Sequence, residues 1–128
     1  MGSRIFVFGS NTEGRHGIGA AKFAVEHYGA IYGQAEGLQG SSYGIPTRDG
    51  RPRKITSLPL STITFHVVRF ILFARSRPDL RFNVTRIGCG KAGFQDLDMA
   101  PLFYGAPDNC DLPEGWRVIA AQTHGRAT

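Results

Sequence analysis

Short apolar runs alternate with glycine-rich polar stretches along the first third of the chain. Ile5-Phe-Val-Phe8 is an uninterrupted apolar run closed by Gly9, the pattern of a strand covered on both faces. Asn11 to Gly17 is polar and predicts a loop. From Ile18 onward Ala21, Val25 and Tyr28 recur at helical spacing, and Gly29 stands where a helix C-terminal cap belongs. The unit is strand, loop, helix.

Gly33 to Gly44 is rich in Gly, Gln and Ser and reads as irregular, with a brief strand from Ser42 to Ile45 stopped by Pro46. Arg48 to Lys54 reads as an exposed basic loop. The strongest helix starts at Leu60-Ser61: Ser61 is placed to cap, Leu60 and Phe65 to staple, and Ile63, Val67, Phe70, Ile71 and Ala74 fall on one face. Pro78 closes it. Phe82 to Ile87 predicts a second strand, followed by a glycine loop and a short helix near Asp98, with Pro101 in its first turn and Gly105 and Pro107 at its end. Beyond Asn109 an extended tail is expected, frayed after Thr123, which leaves a single domain over 1–123 and a tail of 124–128. Strands alternating with helices predict a mixed α/β sheet whose ligands sit at the carboxyl ends of its strands.

Composition sharpens this picture at one point. Of 128 residues, 17 are glycine, about twice average usage, and they concentrate before residue 50 and in the second loop, where backbone must approach something closely. The apolar fraction of 41% excludes wholesale disorder. A net charge of +5 favours an anionic partner. The clusters Arg48, Arg51, Arg53, Lys54 and Arg75, Arg77, Arg81 keep a nucleic-acid interaction open as one alternative. Two cysteines, Cys89 and Cys110, make no disulfide framework, and no stretch reaches the apolar length of a membrane span. With a strand at the very start in place of a signal peptide, a cytoplasmic protein without membrane contact is expected. No spacing marks a metal site, and neither metal nor cofactor is expected.

Two loops carry the candidate chemistry. Gly9, Ser10, Asn11, Gly17, Ile18, Gly19 and Ala20 follow the first strand and open the first helix, so their main-chain N–H groups can face an anion at the positive end of a helix dipole. Gly88, Cys89, Gly90, Lys91, Ala92, Gly93 and Phe94 follow the second strand and can grip the same anion from the other side. The first loop lacks the third glycine of a dinucleotide fingerprint and the Lys-Ser ending of a P-loop, so neither assignment holds. His16 is a candidate general base or phosphate donor, against the plainer role of an exposed loop histidine. Lys91 can pair with phosphate or act on a sugar. Cys89 can be a nucleophile or a small residue under the loop. Glu13, Asp96 and Asp98 are candidates to position water, although Asp98 also suits a helix cap; Phe94 and Tyr43 suit the face of a sugar or base as well as a core, and His66 reads as structural.

The runs Phe8-Gly-Ser-Asn11 with Gly17-Ile-Gly-Ala-Ala-Lys-Phe23, Gly40-Ser-Ser-Tyr-Gly-Ile-Pro-Thr47 and Ile87-Gly-Cys-Gly-Lys-Ala-Gly-Phe94 together resemble the macro domain. The likeness is to its branch of terminal ADP-ribose glycohydrolases and of antitoxins that remove ADP-ribose from DNA, and it extends from about Ile5 to Phe103. It implies a minimal three-layer α/β/α domain with a mixed central sheet. Its ligand would be ADP-ribose or an ADP-ribose-derived nucleotide, free or carried on protein or nucleic acid. By the same likeness Asn11 contacts the distal ribose, His16 to Ala20 hold phosphate, and Gly88 to Phe94 wrap the diphosphate. Where that branch has a lysine that attacks the sugar this chain has Ile18, and nearest its assisting acid stands Ala92; neither can form an adduct or move a proton. The strand and aspartate that precede this region in many macro domains, and serve adenine, have no counterpart. Binding as a reader or sequestering module is therefore the leading expectation, with hydrolysis by water attack, using Asn11 and His16, as the alternative.

Overall fold

Residues alternate along Arg4–Asn11 (β1), with Ile5 and Val7 on one side and Phe6 and Phe8 on the other, so this strand needs cover on both faces. The computed structural model describes residues 3–54 and 56–126, and each face of β1 is covered by helix. Gly19–Tyr28 (α1) closes one side with Ala21 and Ala24 over Phe8, while Phe6 stacks on Tyr28 at 4.7 Å between ring centres. Leu60–Ser76 (α2) covers the other, setting Ile63, Val67, Phe70, Ile71 and Ala74 into a larger core with Ile5, Val7, Tyr43, Ile45 and Phe82. The result is an α/β fold with helices on both faces of one sheet, compatible with three layers.

The remaining strands are Gly37–Gln39 (β2), Ser42–Asp49 (β3), Thr56–Ser57 (β4), Arg81–Val84 (β5) and Cys110–Asp111 (β6). The sheet order is β2-β3-β1-β5-β6, with β4 also pairing with β3. β1 runs parallel to β3 and β5, and β5 parallel to β6, while β2 and β4 lie antiparallel to β3, so the sheet is mixed. Parallel β1, β3 and β5 bring their carboxyl ends, and the loops that leave them, to one edge.

Several expected elements change on this frame. β3 does not stop at Pro46 but continues to Asp49, opposite Ser10 and Asn11 of β1. β2 pairs only as far as Gly44 and β4 only from Arg48, so Pro46, with no N–H to give, sits where the outer edge of β3 is uncovered. Ser61 does not cap α2: the helix begins at Leu60 after Pro59, whose fixed ring geometry leads the chain in, with no side-chain cap. The helix expected near Asp98 begins at Asp96 (α3, Asp96–Met99) and passes into a 3-10 turn, Ala100–Phe103, that holds Pro101. The tail is not extended. After β6 it forms Trp116–Arg126 (α4), which buries Trp116 against Phe103 at 5.4 Å between ring centres. The frayed tail expected over 124–128 is thus helical to Arg126, and its last two residues lie outside the described ones.

Candidate functional site

Both glycine loops leave the carboxyl ends of neighbouring parallel strands, β1 and β5, and therefore open toward each other. Between them is a cavity of about 580 Å³, a size suited to a nucleotide-like ligand. The first loop contributes Gly9, Ser10, Asn11, Ile18, Gly19 and Ala20, and the second Gly88, Cys89, Gly90, Lys91 and Ala92. Gly17 lines a smaller adjoining cavity instead. Gly93 and Phe94 line neither: they close the turn, Gly93 N–H donating to Gly90 O at 3.0 Å and Phe94 N–H to Gly88 O at 2.8 Å, and the Phe94 ring packs on the core.

The N-terminus of α1 is bare where it meets the cavity. Ile18 occupies the N-cap in an extended conformation with no side chain to accept from the first-turn amides, and no acidic residue stands in that turn. Those N–H groups and the dipole behind them are left for an anion. Four cations line the cavity, Arg15, Arg48, Arg86 and Lys91, and none of the lining residues is a carboxylate. Charge and exposed main chain point the same way.

Arg86 is held from behind. Its Nε and Nη2 donate to Asp96 Oδ1 and Oδ2 at 3.1 and 3.0 Å, and Asp96 Oδ1 also accepts from the indole N–H of Trp116 at 2.7 Å. This places the second loop on α4 through a charged, two-sided pair. The guanidinium of Arg86, and then the Trp116 donor, hold the Asp96 carboxyl below its ordinary range, so it stays an anion partnered within the fold and not a water-positioning base. Cys89 lies 3.8 Å from Asp96 Oδ1. Burial first, and the neighbouring Asp96 charge second, push its thiol up, which is the reverse of an activated nucleophile. Ser57 Oγ–H donates to Ala92 O and so ties the loop to β4.

His16 corrects the expectation most sharply. Its ring is 2% exposed, stands edge-on to Phe8 and does not line the cavity. Nε2 has two oxygens for neighbours, Gln34 O at 2.9 Å and Gln39 Oε1 at 3.2 Å, the latter already accepting from Ile31 N–H. Nε2 therefore carries the proton, and the lone pair of Nδ1 is buried with no partner among the described residues. A base must show its lone pair to the substrate, and this one does not.

Asn11 borders both cavities, yet its Oδ1 accepts from the N–H groups of Glu13 and Arg15 at 3.1 and 3.0 Å and its Nδ2 donates to Arg15 O at 3.0 Å. It shapes the loop first and has one amide proton left for a ligand. Glu13 is exposed outside the cavity; Asp98 accepts from Gln95 N–H at 2.9 Å in a capping box at the start of α3. Tyr43 belongs to the core, and His66 pairs with Glu36 at 2.9 Å on α2. The two arginine clusters do not form one surface. Arg81 opens β5 beside Arg4, at the amino ends of the strands, and Arg77 and Arg81 are paired with Asp79 and Asp111. Arg48 and Arg51 lie at the opposite, cavity end.

Sequence reasoning missed Arg15, Ala21, Thr47, Arg48, Thr85, Arg86 and Ile87 as lining residues. The rule that ligands sit at strand carboxyl ends held the signal for most of them, since Thr47 and Arg48 end β3 and Thr85 to Ile87 follow β5. Among the described residues no helix is long and apolar enough to cross a membrane, and no group of three metal-ligating side chains is found. Comparison with protein-family models, with curated proteins and with solved structures gave no match.

Proposed function

We propose that the chain is a minimal macro-like domain that binds ADP-ribose or an ADP-ribose-derived nucleotide in the main cavity, as a reader or sequestering module. One observation carries the reading: two glycine loops and a bare helix N-terminus meet in a single cavity with four cationic and no carboxylate side chains in its lining. A diphosphate bridging the loops would take charge-assisted hydrogen bonds from main-chain amides and pair with Lys91 and Arg86. The choice of ADP-ribose among diphosphates rests on the resemblance of the four sequence motifs to the macro domain.

Binding is favoured over turnover by what the lining lacks. Ile18 and Ala92 occupy the places where the resembling branch keeps its lysine and acid, and His16 has its lone pair in the interior. No lining carboxylate or imidazole is left to move a proton. Calorimetric titration with ADP-ribose tests the reading: saturable binding is expected, weakened by competing ADP, with no free ADP-ribose released from ADP-ribosylated protein or DNA. Absence of heat with ADP-ribose rejects it, and release of ADP-ribose would replace the binder with a hydrolase.

A further inference from the structure

Next to the main cavity is a second one of about 240 Å³, which shares Asn11, Arg15, Ile18 and Arg48 with it and adds Gly17, Tyr32, Asp49, Gly50, Arg51 and Pro52. The two cavities are therefore immediate neighbours, meeting at these four residues. Two of the added side chains, Tyr32 and Arg51, carry extended flat groups. Tyr32 is 63% exposed and meets the ring of His16 edge-on, at 6.2 Å between ring centres, which leaves most of its surface uncovered. Arg51 is paired with Asp49, Nε donating at 3.1 Å to each carboxylate oxygen and Nη2 at 2.7 Å to Oδ2, which orients the guanidinium plane.

Tyr32 does not sit on a loose loop. Gln34 N–H donates to Ile31 O at 3.0 Å to close its turn, and Gly33 N–H donates to Gly14 O at 2.8 Å. The two chains cross so closely there that a Cβ on Gly14 would stand 2.4 Å from the Gly33 carbonyl carbon. The same crossing joins the Tyr32 turn to the first glycine loop, so the backbone that carries the ring is anchored to a wall of the main cavity. An aromatic ring, a proline, a guanidinium paired with the one lining carboxylate, Asp49, and the apolar Ile18 line this cavity, surfaces that suit a flat heterocycle, and the cations shared with the main cavity suit one joined to phosphate.

We infer that the second cavity is a base-binding subsite, and that the preferred ligand is a nucleotide with a second nucleobase beyond its diphosphate and distal sugar. This rests on the main cavity taking the ADP-ribose-type portion. Two probes isolate the extra base: ADP-ribose, and diadenosine 5′,5′-diphosphate, which has the same skeleton with adenine added on the distal ribose. Titrated into the full chain, the diadenosine compound is expected to bind about tenfold more tightly, the size of one base stacked on an aromatic ring. Tyr32→Ala should erase that gain and leave ADP-ribose affinity unchanged, while Tyr32→Phe keeps it; melting curves check that both variants fold. Equal affinity for the two probes, or an equal loss of both in Tyr32→Ala, overturns the subsite while leaving the main cavity as a nucleotide site. No binding of either probe overturns both readings.

Discussion

Gly88 and Gly90 are two residues apart in one loop, and the structure assigns them opposite roles. Gly88 has φ +80, and a Cβ there would stand 2.8 Å from Met99 Sδ and 3.1 Å from its Cγ. Met99 is fully buried, so its thioether end must repack within the core to make room. Alanine at 88 incurs about 1–2 kcal/mol for the left-handed backbone and about 1–3 kcal/mol for overpacking. A total of roughly 2–5 kcal/mol lowers the melting temperature by on the order of 10 °C. Gly90 is outside the left-handed region, and a Cβ on it would meet nothing within 4 Å. Gly90→Val should therefore change stability by no more than about 0.5 kcal/mol. Gly90 lines the cavity, so a valine side chain there is expected to keep a diphosphate from the loop amides. If two charge-assisted bonds of about 1.5–3 kcal/mol each are lost, affinity for ADP-ribose falls by at least about 100-fold. Differential scanning fluorimetry and calorimetric titration on the three proteins separate the effects. Binding by Gly90→Val within about threefold of the parent would refute the claim that these amides grip the ligand, and a melting point as low as that of Gly88→Ala would refute the open space above residue 90.

Trp116→Phe keeps most of the apolar volume but removes the donor to Asp96; a loss of about 2–3 kcal/mol is expected in urea unfolding, together with weaker ADP-ribose binding as Arg86 loses its support. Lys91→Ala should leave the melting temperature within about 2 °C and weaken ADP-ribose roughly 3–10-fold, less so in high salt, as titrations at two ionic strengths would record. Burial, then the Glu36 charge, push the Tyr43 hydroxyl up to about 12. The folded chain holds a proton that the unfolded chain releases near pH 10, so this contribution is present below pH 10 and lost as pH rises toward 12. Tyr43→Phe should reduce the alkaline fall in stability by on the order of 1–2 kcal/mol, and an unchanged pH profile would contradict the assigned burial.

Local chemistry carried the glycine loops, β1, α1 and α2 into view before any coordinates. An apolar run ended by glycine, and a helix ended by Gly29 in the left-handed region, depend on neighbours in sequence. What stayed hidden depends on neighbours in space. Pro46 reads as a strand terminator until β1 is seen to carry β3 past it. In α4 the core side spans, among the described residues, Trp116, Ile119 and Ala120, too short a stripe to announce a helix in a polar tail. His16 reads as a loop residue because Gln39, the side chain that takes it into the interior, is 23 positions away. Of the four cations of the cavity, Lys91 is carried by the second glycine loop and was legible, while Arg15, Arg48 and Arg86 come from the first loop and from the ends of β3 and β5, and nothing in their spacing joins them.

The crossing of Gly14 and Gly33 has a consequence for how binding and folding depend on each other. Because the first loop is fastened by main chain, its entropic cost is incurred once, during folding, and under the proposed function a ligand would meet a pre-arranged loop. Any change that loosens the 31–39 segment, even one that touches no ligand atom, lowers apparent affinity in proportion to the fraction of molecules whose loop is still fastened.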